Sequence, residues 1–120
     1  MTTTPKPRPI HLDADGRKRL RASIAHWKRL ATGKQRAGEE ANSDHCALCA
    51  RWFDDDCVTS STDACPVYQA TGRSFCHRSP FDCASRAATR HGLASPEFRA
   101  AAEVELAFLR DLLARAKEKP

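Results

Sequence analysis

Cys46 and Cys49 stand two residues apart in the stretch HCALCARWF. That spacing admits three chemistries: metal ligation, thiol redox exchange, or half of a disulfide framework. Four more cysteines follow, Cys57, Cys65, Cys76 and Cys83, at intervals of seven, seven, ten and six intervening residues. A thiolate pair separated by two residues can aim both sulfurs at one tetrahedral ion, about 2.3 Å from zinc. The eighteen residues between Cys46 and Cys65 form an ordinary loop for recruiting the distant half of a structural site. There is no second C-x2-C, so the remaining ligands have to be assembled from separate positions. The expected set is Cys46, Cys49, Cys65 and Cys76 around one Zn2+, with Cys57 and His77 as alternates.

Local signals underlie that choice. Asn42, Ser43 and Asp44 can cap a helix that begins near the pair, and Trp52 and Phe53 supply packing bulk beside it. Cys65 precedes a proline that opens a short turn of helix, and Cys76 follows Gly72, where the chain can double back. Cys57 lies in the polar loop DDDCVTSSTDA without a hydrophobic anchor. Cys83, inside a short helix, is expected to be a buried core cysteine. An iron–sulfur cluster is the alternative cofactor, because Cys65-Pro66 matches the end of a ferredoxin-type run, but the tight C-x2-C-x2-C that precedes it there is missing. A redox pair would need a βαβ framework, which no part of the chain suggests. His26 and His91 are expected to be solvated or to compensate a helix dipole, and His45, beside Cys46, to be an exposed polar residue or, like His77, a reserve ligand or outer neighbour of the site.

The elements that position these cysteines are helical. Asp13 or Asp15 can cap a first long helix, on which Leu20, Ile24, Trp27 and Ala31 form one apolar stripe before Gly33 ends it. Ser95-Pro96-Glu97 opens a second long helix, expected to run to about Lys117. Its wide apolar face contains Phe98, Ala101, Ala102, Leu106, Phe108, Leu109, Leu112 and Leu113. Ser79-Pro80 repeats this capping logic for a shorter helix that stops at Gly92, and Pro66 opens one or two turns. No stretch alternates like a strand, although a tiny hairpin fits the cysteine region. The expected fold is mainly α: long N- and C-terminal helices packed together around a Cys-rich zinc-knuckle centre, residues 42–83. Residues 1–12, rich in Thr, Pro and Lys/Arg, are expected to be a flexible basic arm, and 13–120 a single domain.

In their order, His26-Trp27, Cys46–Cys49, CPVYQATGRSFC (Cys65–Cys76) and Pro80-Phe81 resemble small Cys-rich proteins of phage and prophage genomes. The resemblance covers about residues 24–81. In that pattern two close cysteines precede the proline, whereas here seven residues separate Cys57 from Cys65. It implies a phage or mobile-element origin and a metal-binding core, and no particular activity.

Charge and composition narrow the function classes. The chain carries a net charge of +5, and residues 1–40 hold ten basic against four acidic side chains. No apolar run approaches the roughly 18 residues of a membrane span. The N-terminal stretch MTTTPKPRPIHLDADG has no hydrophobic core of the kind a secretory signal needs. The expectation is therefore a cytoplasmic protein of a bacterial host cell, with reduced thiols. There is no phosphate loop, nucleophile elbow or H-E-x-x-H, and an all-cysteine shell closes a zinc ion, so the expected function is non-enzymatic. Two readings follow. In the first, the domain binds and modulates a host protein or complex, for example as an inhibitor of a defence system. In the second, it binds nucleic acid through its basic helix. Lys6, Arg8, Arg17, Lys18, Arg21, Lys28 and Arg29 are the candidate contacts in either case. The wide C-terminal face leaves a monomer or a homodimer through that helix.

Overall fold

A computed structural model describes residues 10–41, 48–52, 58–60, 63–71 and 79–118. In chain order the elements are β1 (Ile10–Leu12), α1 (Ala14–Thr32), α2 (Cys49–Trp52), β2 (Val58–Ser60), β3 (Asp63–Ala64), α3 (Pro66–Thr71), α4 (Pro80–His91), α5 (Pro96–Arg115) and β4 (Ala116–Glu118). The chain is mainly helical. No helix among the described residues is long and apolar enough to cross a membrane.

Local chemistry sets the helix ends. Asp13 sits in extended backbone before α1, and its Oδ1 accepts the Gly16 N–H at 2.7 Å, satisfying a donor that has no partner inside the helix. At the other end Gly33 adopts φ 73°, and the Lys34 N–H returns to the Arg29 carbonyl at 2.8 Å. Only glycine takes that backbone conformation without strain. Ser95 Oγ accepts the Phe98 N–H at 3.1 Å, with Pro96 at the first position of α5. Ser79 and Pro80 occupy the same places at α4, which closes on Gly92.

The core is built around Trp27. Leu20, Trp27, Leu30 and Ala31 of α1 are buried, as are Phe98, Ala102, Leu106, Leu109 and Leu112 of α5, and the two long helices pack along each other. Trp27 meets Phe81 of α4 edge to face at 5.8 Å and Phe98 of α5 at 6.3 Å, so one ring joins α1 to both α4 and α5. Truncating a ring this buried typically costs about 3–5 kcal/mol. Phe81, Ala84 and Ala88 turn toward the core from α4, which leaves Cys83 on its exposed side. The expectation of a buried core Cys83 is thereby corrected. The reason is geometric: position 83 lies about 100° round the helix from Ala84.

Two further corrections concern the chain ends. Residues 10–12, expected to belong to a flexible arm, form β1, with Ile10 and Leu12 buried. Helix α5 stops at Arg115 and not near Lys117, because Ala116 turns extended and begins β4. The two strands pair in parallel, Ile10 with Ala116 and Leu12 with Glu118. Burying Ile10 removes its backbone groups from water, and β4 supplies the partners that a longer helix would have used internally. A small hairpin, which the sequence left open for the cysteine region, is present as β2 against β3, antiparallel and irregular between Val58 and Ser60.

Candidate functional site

Of the expected metal ligands, Cys46, Cys57, Cys76 and His77 lie outside the described residues. Cys49 opens α2. Cys65 is buried, 4 % exposed, immediately before Pro66 of α3, and its carbonyl accepts the Gln69 N–H at 2.9 Å. Among the described residues, no three His, Cys, Asp or Glu side chains converge on one point.

The structure does show how the Cys-rich segments are held to the helical frame. Leu48 and Trp52 are both 1 % exposed and belong to the same core cluster as Trp27. Between them in sequence, Arg51 reaches back to α1. Its Nη1 donates to Asp13 Oδ1 at 2.9 Å and to Asp15 Oδ2 at 3.0 Å, and its Nη2 donates to Asp13 Oδ2 at 3.0 Å. The guanidinium also lies 4.3 Å over the Trp52 ring. The carboxylate that caps α1 is thus the one that Arg51 grips. From the other side, Gln69 of α3 behaves as a one-residue strand partner. Its Oε1 accepts the His11 N–H at 2.7 Å, while its Nε2 donates to the His11 carbonyl at 3.0 Å and to the Ala64 carbonyl at 2.8 Å. Neither Arg51 nor Gln69 stands out in the sequence, since each acts on residues at least 36 positions away or through an ordinary amide.

A second cluster lies where α1 ends. Glu39, in the loop after Gly33, has a side chain only 8 % exposed. Arg29 Nε and Nη2 donate to its carboxylate at 3.0 and 2.7 Å, the Arg36 N–H at 2.9 Å, and His26 Nδ1 donates to Oε2. An ionised carboxylate only accepts, so Nδ1 carries the proton in this arrangement. The hydrogen bonds from Arg29 are the largest influence that draws Glu39 down from 4.5 to about 2, with the Arg36 amide and His26 acting in the same direction and burial opposing them. His26 is therefore buried and engaged, contrary to the expectation of a solvated side chain. The loop folds back over a side of α1 that helical projection alone leaves to water.

These contacts divide the cations of α1 into two ridges. Asp15, Arg19, His26 and Arg29 fall at spacings of three, four and seven along one ridge, and all take part in ion pairs or hydrogen bonds. Arg19 Nε donates to Asp15 Oδ2 at 2.9 Å, and this bond, with help from Arg51, holds Asp15 below the usual carboxylate range. The neighbouring ridge carries Lys18, Arg21, Ala25, Lys28 and Thr32, all exposed. Lys18, Arg21 and Lys28, with Lys34 and Arg36 in the following loop, have no ion-pair partner among the described residues. Of the candidate contacts, Lys18, Arg21 and Lys28 share one open face, Arg17 is half-buried at its edge, and Arg29 is committed to Glu39. Lys6 and Arg8 lie outside the described residues. Lys34 and Arg36 were not among the expected contacts, although the sequence contains no acidic residue between Asp15 and Glu39.

No family model, curated protein or solved structure matches the chain.

Proposed function

We propose that this chain is a non-enzymatic, zinc-stabilised module of phage or mobile-element origin, which modulates a host complex by laying the outer face of α1 on an acidic surface. The observation that carries this reading is the unequal use of charge on α1. One ridge spends its cations on Asp15 and Glu39, while the adjacent ridge exposes Lys18, Arg21 and Lys28 without a partner among the described residues. Like charges held close together repel, and an acidic partner relieves that repulsion while steering association.

The metal belongs to the same reading. Cys46, Cys49, Cys65 and Cys76 would hold one zinc ion, with Cys57 or His77 as a substitute ligand. The burial of Cys65 and the seating of Leu48 and Trp52 in the core support a closed structural site, in which the metal contributes folding energy. Zinc bound there would order the central segment that carries Arg51 to the cap of α1.

Retention on immobilised heparin tests the surface, and elemental analysis of protein purified without added metal tests the site. The triple variant Lys18→Gln/Arg21→Gln/Lys28→Gln should elute at much lower salt than the unaltered chain. Removing three exposed cations from the other helices, as Arg86→Gln/Arg90→Gln/Arg110→Gln, should change elution far less. Equal effects of the two triples would refute the α1 reading, and a protein without zinc would refute the metal assignment.

A further inference from the structure

We infer that the acidic surface met by α1 is the phosphate backbone of a double-stranded nucleic acid, bound without regard to sequence; this rests on the reading of α1 as the working face. Three features of that face select the partner.

The first is what stands between the charges. Ala22 and Ala25 are the apolar residues exposed among Lys18, Arg21 and Lys28, so the face exposes no apolar side chain larger than alanine for burial in a pocket. Protein interfaces draw most of their energy from a few anchors, chiefly Trp, Tyr and Arg, packed into pockets, and of these the face carries only Arg21. Phosphates need only fixed cations, and small residues at the crest let a backbone come close.

The second feature is where the aromatic rings are. Trp27, Trp52 and Phe98 are buried, and the half-buried Tyr68, Phe81 and Phe108 lie on α3, α4 and α5 respectively, not on α1. Single strands are held by bases stacked on exposed rings over a basic groove. A face with cations and, among the described residues, no exposed rings suits paired strands, whose bases are already stacked.

The third is dimension. Lys18 and Lys28 are ten residues apart, about 15 Å along the helix axis, and Lys34 and Arg36 continue the charge past Gly33. Duplex DNA carries one charge per about 1.7 Å of axis, so phosphates are available along the whole length of the face.

Five phosphate contacts predict a salt slope, log K against log salt, of about −4.5 on duplex DNA. Between about 50 and 200 mM salt the affinity should then fall by about 500-fold. Lys6 and Arg8 can steepen that slope, so the informative quantity is its change on substitution. Lys18→Gln/Arg21→Gln/Lys28→Gln should flatten it by about 2.7, and Arg86→Gln/Arg90→Gln/Arg110→Gln should leave it unchanged.

The test is fluorescence anisotropy of the full chain at several salt concentrations, with circular dichroism to confirm that each variant is folded. The probes are a labelled DNA duplex of about 20 base pairs, a second duplex of scrambled sequence, the matching single strand, and polyglutamate. The expected result is equal binding of both duplexes, weaker binding of the single strand and of polyglutamate, and the stated flattening of the slope. Binding of polyglutamate with no binding of either duplex would overturn the nucleic-acid inference and leave α1 as an acidic-surface binder. Tighter binding of the single strand, or a slope that the α1 triple does not move, would also overturn the inference. No binding to any of the four probes would overturn both readings.

Discussion

Replacing Glu39 by glutamine leaves the shape of the side chain and removes the charge on which Arg29, His26 and the Arg36 amide converge. The magnitude follows from the geometry. The interval between 4.5 and about 2, at about 1.36 kcal/mol per pH unit, sets an upper bound of about 3 kcal/mol on what ionised Glu39 contributes. Arg29 is 27 % exposed, so solvent screens part of the attraction, and about 2 kcal/mol is the value expected in practice. The sign is that of a depressed carboxylate. The contribution is complete above pH 4.5 and is lost as the pH falls from there toward about 2.

Urea unfolding of the unaltered chain and of Glu39→Gln, at several pH values from 7 down to about 2.5, isolates this contribution. At pH 7 the two midpoints should differ by about 1 M, taking a slope of about 1.5–2 kcal/mol per M for a chain of this size. The difference should shrink below pH 4.5 and fall to about a quarter of its neutral value at pH 2.5. Metal leaving thiolates in acid would affect both proteins alike and so drop out of the difference. A gap that stays constant down to pH 2.5 would show that the substitution acts through packing rather than charge. A gap under about 0.5 kcal/mol at pH 7 would show that the cluster does not hold the loop to α1.

Arg51→Gln removes two carboxylate contacts and the stacking on Trp52, and should cost about 1–2 kcal/mol in urea unfolding. Arg19→Gln, which breaks a more exposed pair, should cost under about 0.5 kcal/mol. Gly33→Ala should destabilise by about 1 kcal/mol through its φ of 73°, because the crowding it adds is against the end of the flexible Arg99 side chain. Cys49→Ser should abolish zinc in elemental analysis and, like a chelator, unfold the central segment by circular dichroism. Cys83→Ser, on the exposed side of α4, should stay within about 0.5 kcal/mol of the unaltered chain, and equal tolerance of the two serines would refute the ligand assignment.

The legible parts of the fold are those whose cause is local. Asp13, Gly33, Ser79-Pro80, Gly92 and Ser95-Pro96 mark helix ends by chemistry that acts within four residues, and all of them stand at helix ends in the structure, although Ser79 makes no side-chain cap bond of the kind Asp13 and Ser95 make. The strand β1 was not legible, because three residues after a Pro- and Lys/Arg-rich segment have no period to detect and their partner is 106 positions away. Helix α5 buries a residue that its sequence pattern does not announce. Glu105 falls among Phe98, Ala102, Leu109 and Leu112 at helical spacing and is 2 % exposed, yet its chemistry argued for an exposed position. Of the candidate site, the sequence supplies the open cations of α1 but not which of them are already spent, because Arg29 and Arg51 are claimed by carboxylates in other segments.

That claim on the cations explains how one helix can serve both the fold and a partner. The Asp15–Arg19–His26–Arg29 ridge is fixed at its start by Arg51, next to the Cys-rich segment, and at its end by Glu39. Lys18, Arg21 and Lys28 lie on the next ridge, between those two anchors, where the helix cannot roll without breaking one of them. The charged face is then rigid without any acidic side chain on it, and its repulsion is carried by contacts one ridge away. Loosening either anchor should therefore reduce stability before it reduces charge on the face. Arg51→Gln and Glu39→Gln should keep most of their retention on heparin at temperatures where they remain folded, whereas the triple on Lys18, Arg21 and Lys28 should lose retention while keeping its urea midpoint. If instead the anchor variants lose retention while still folded, the orientation of α1, and not only its charge, sets binding.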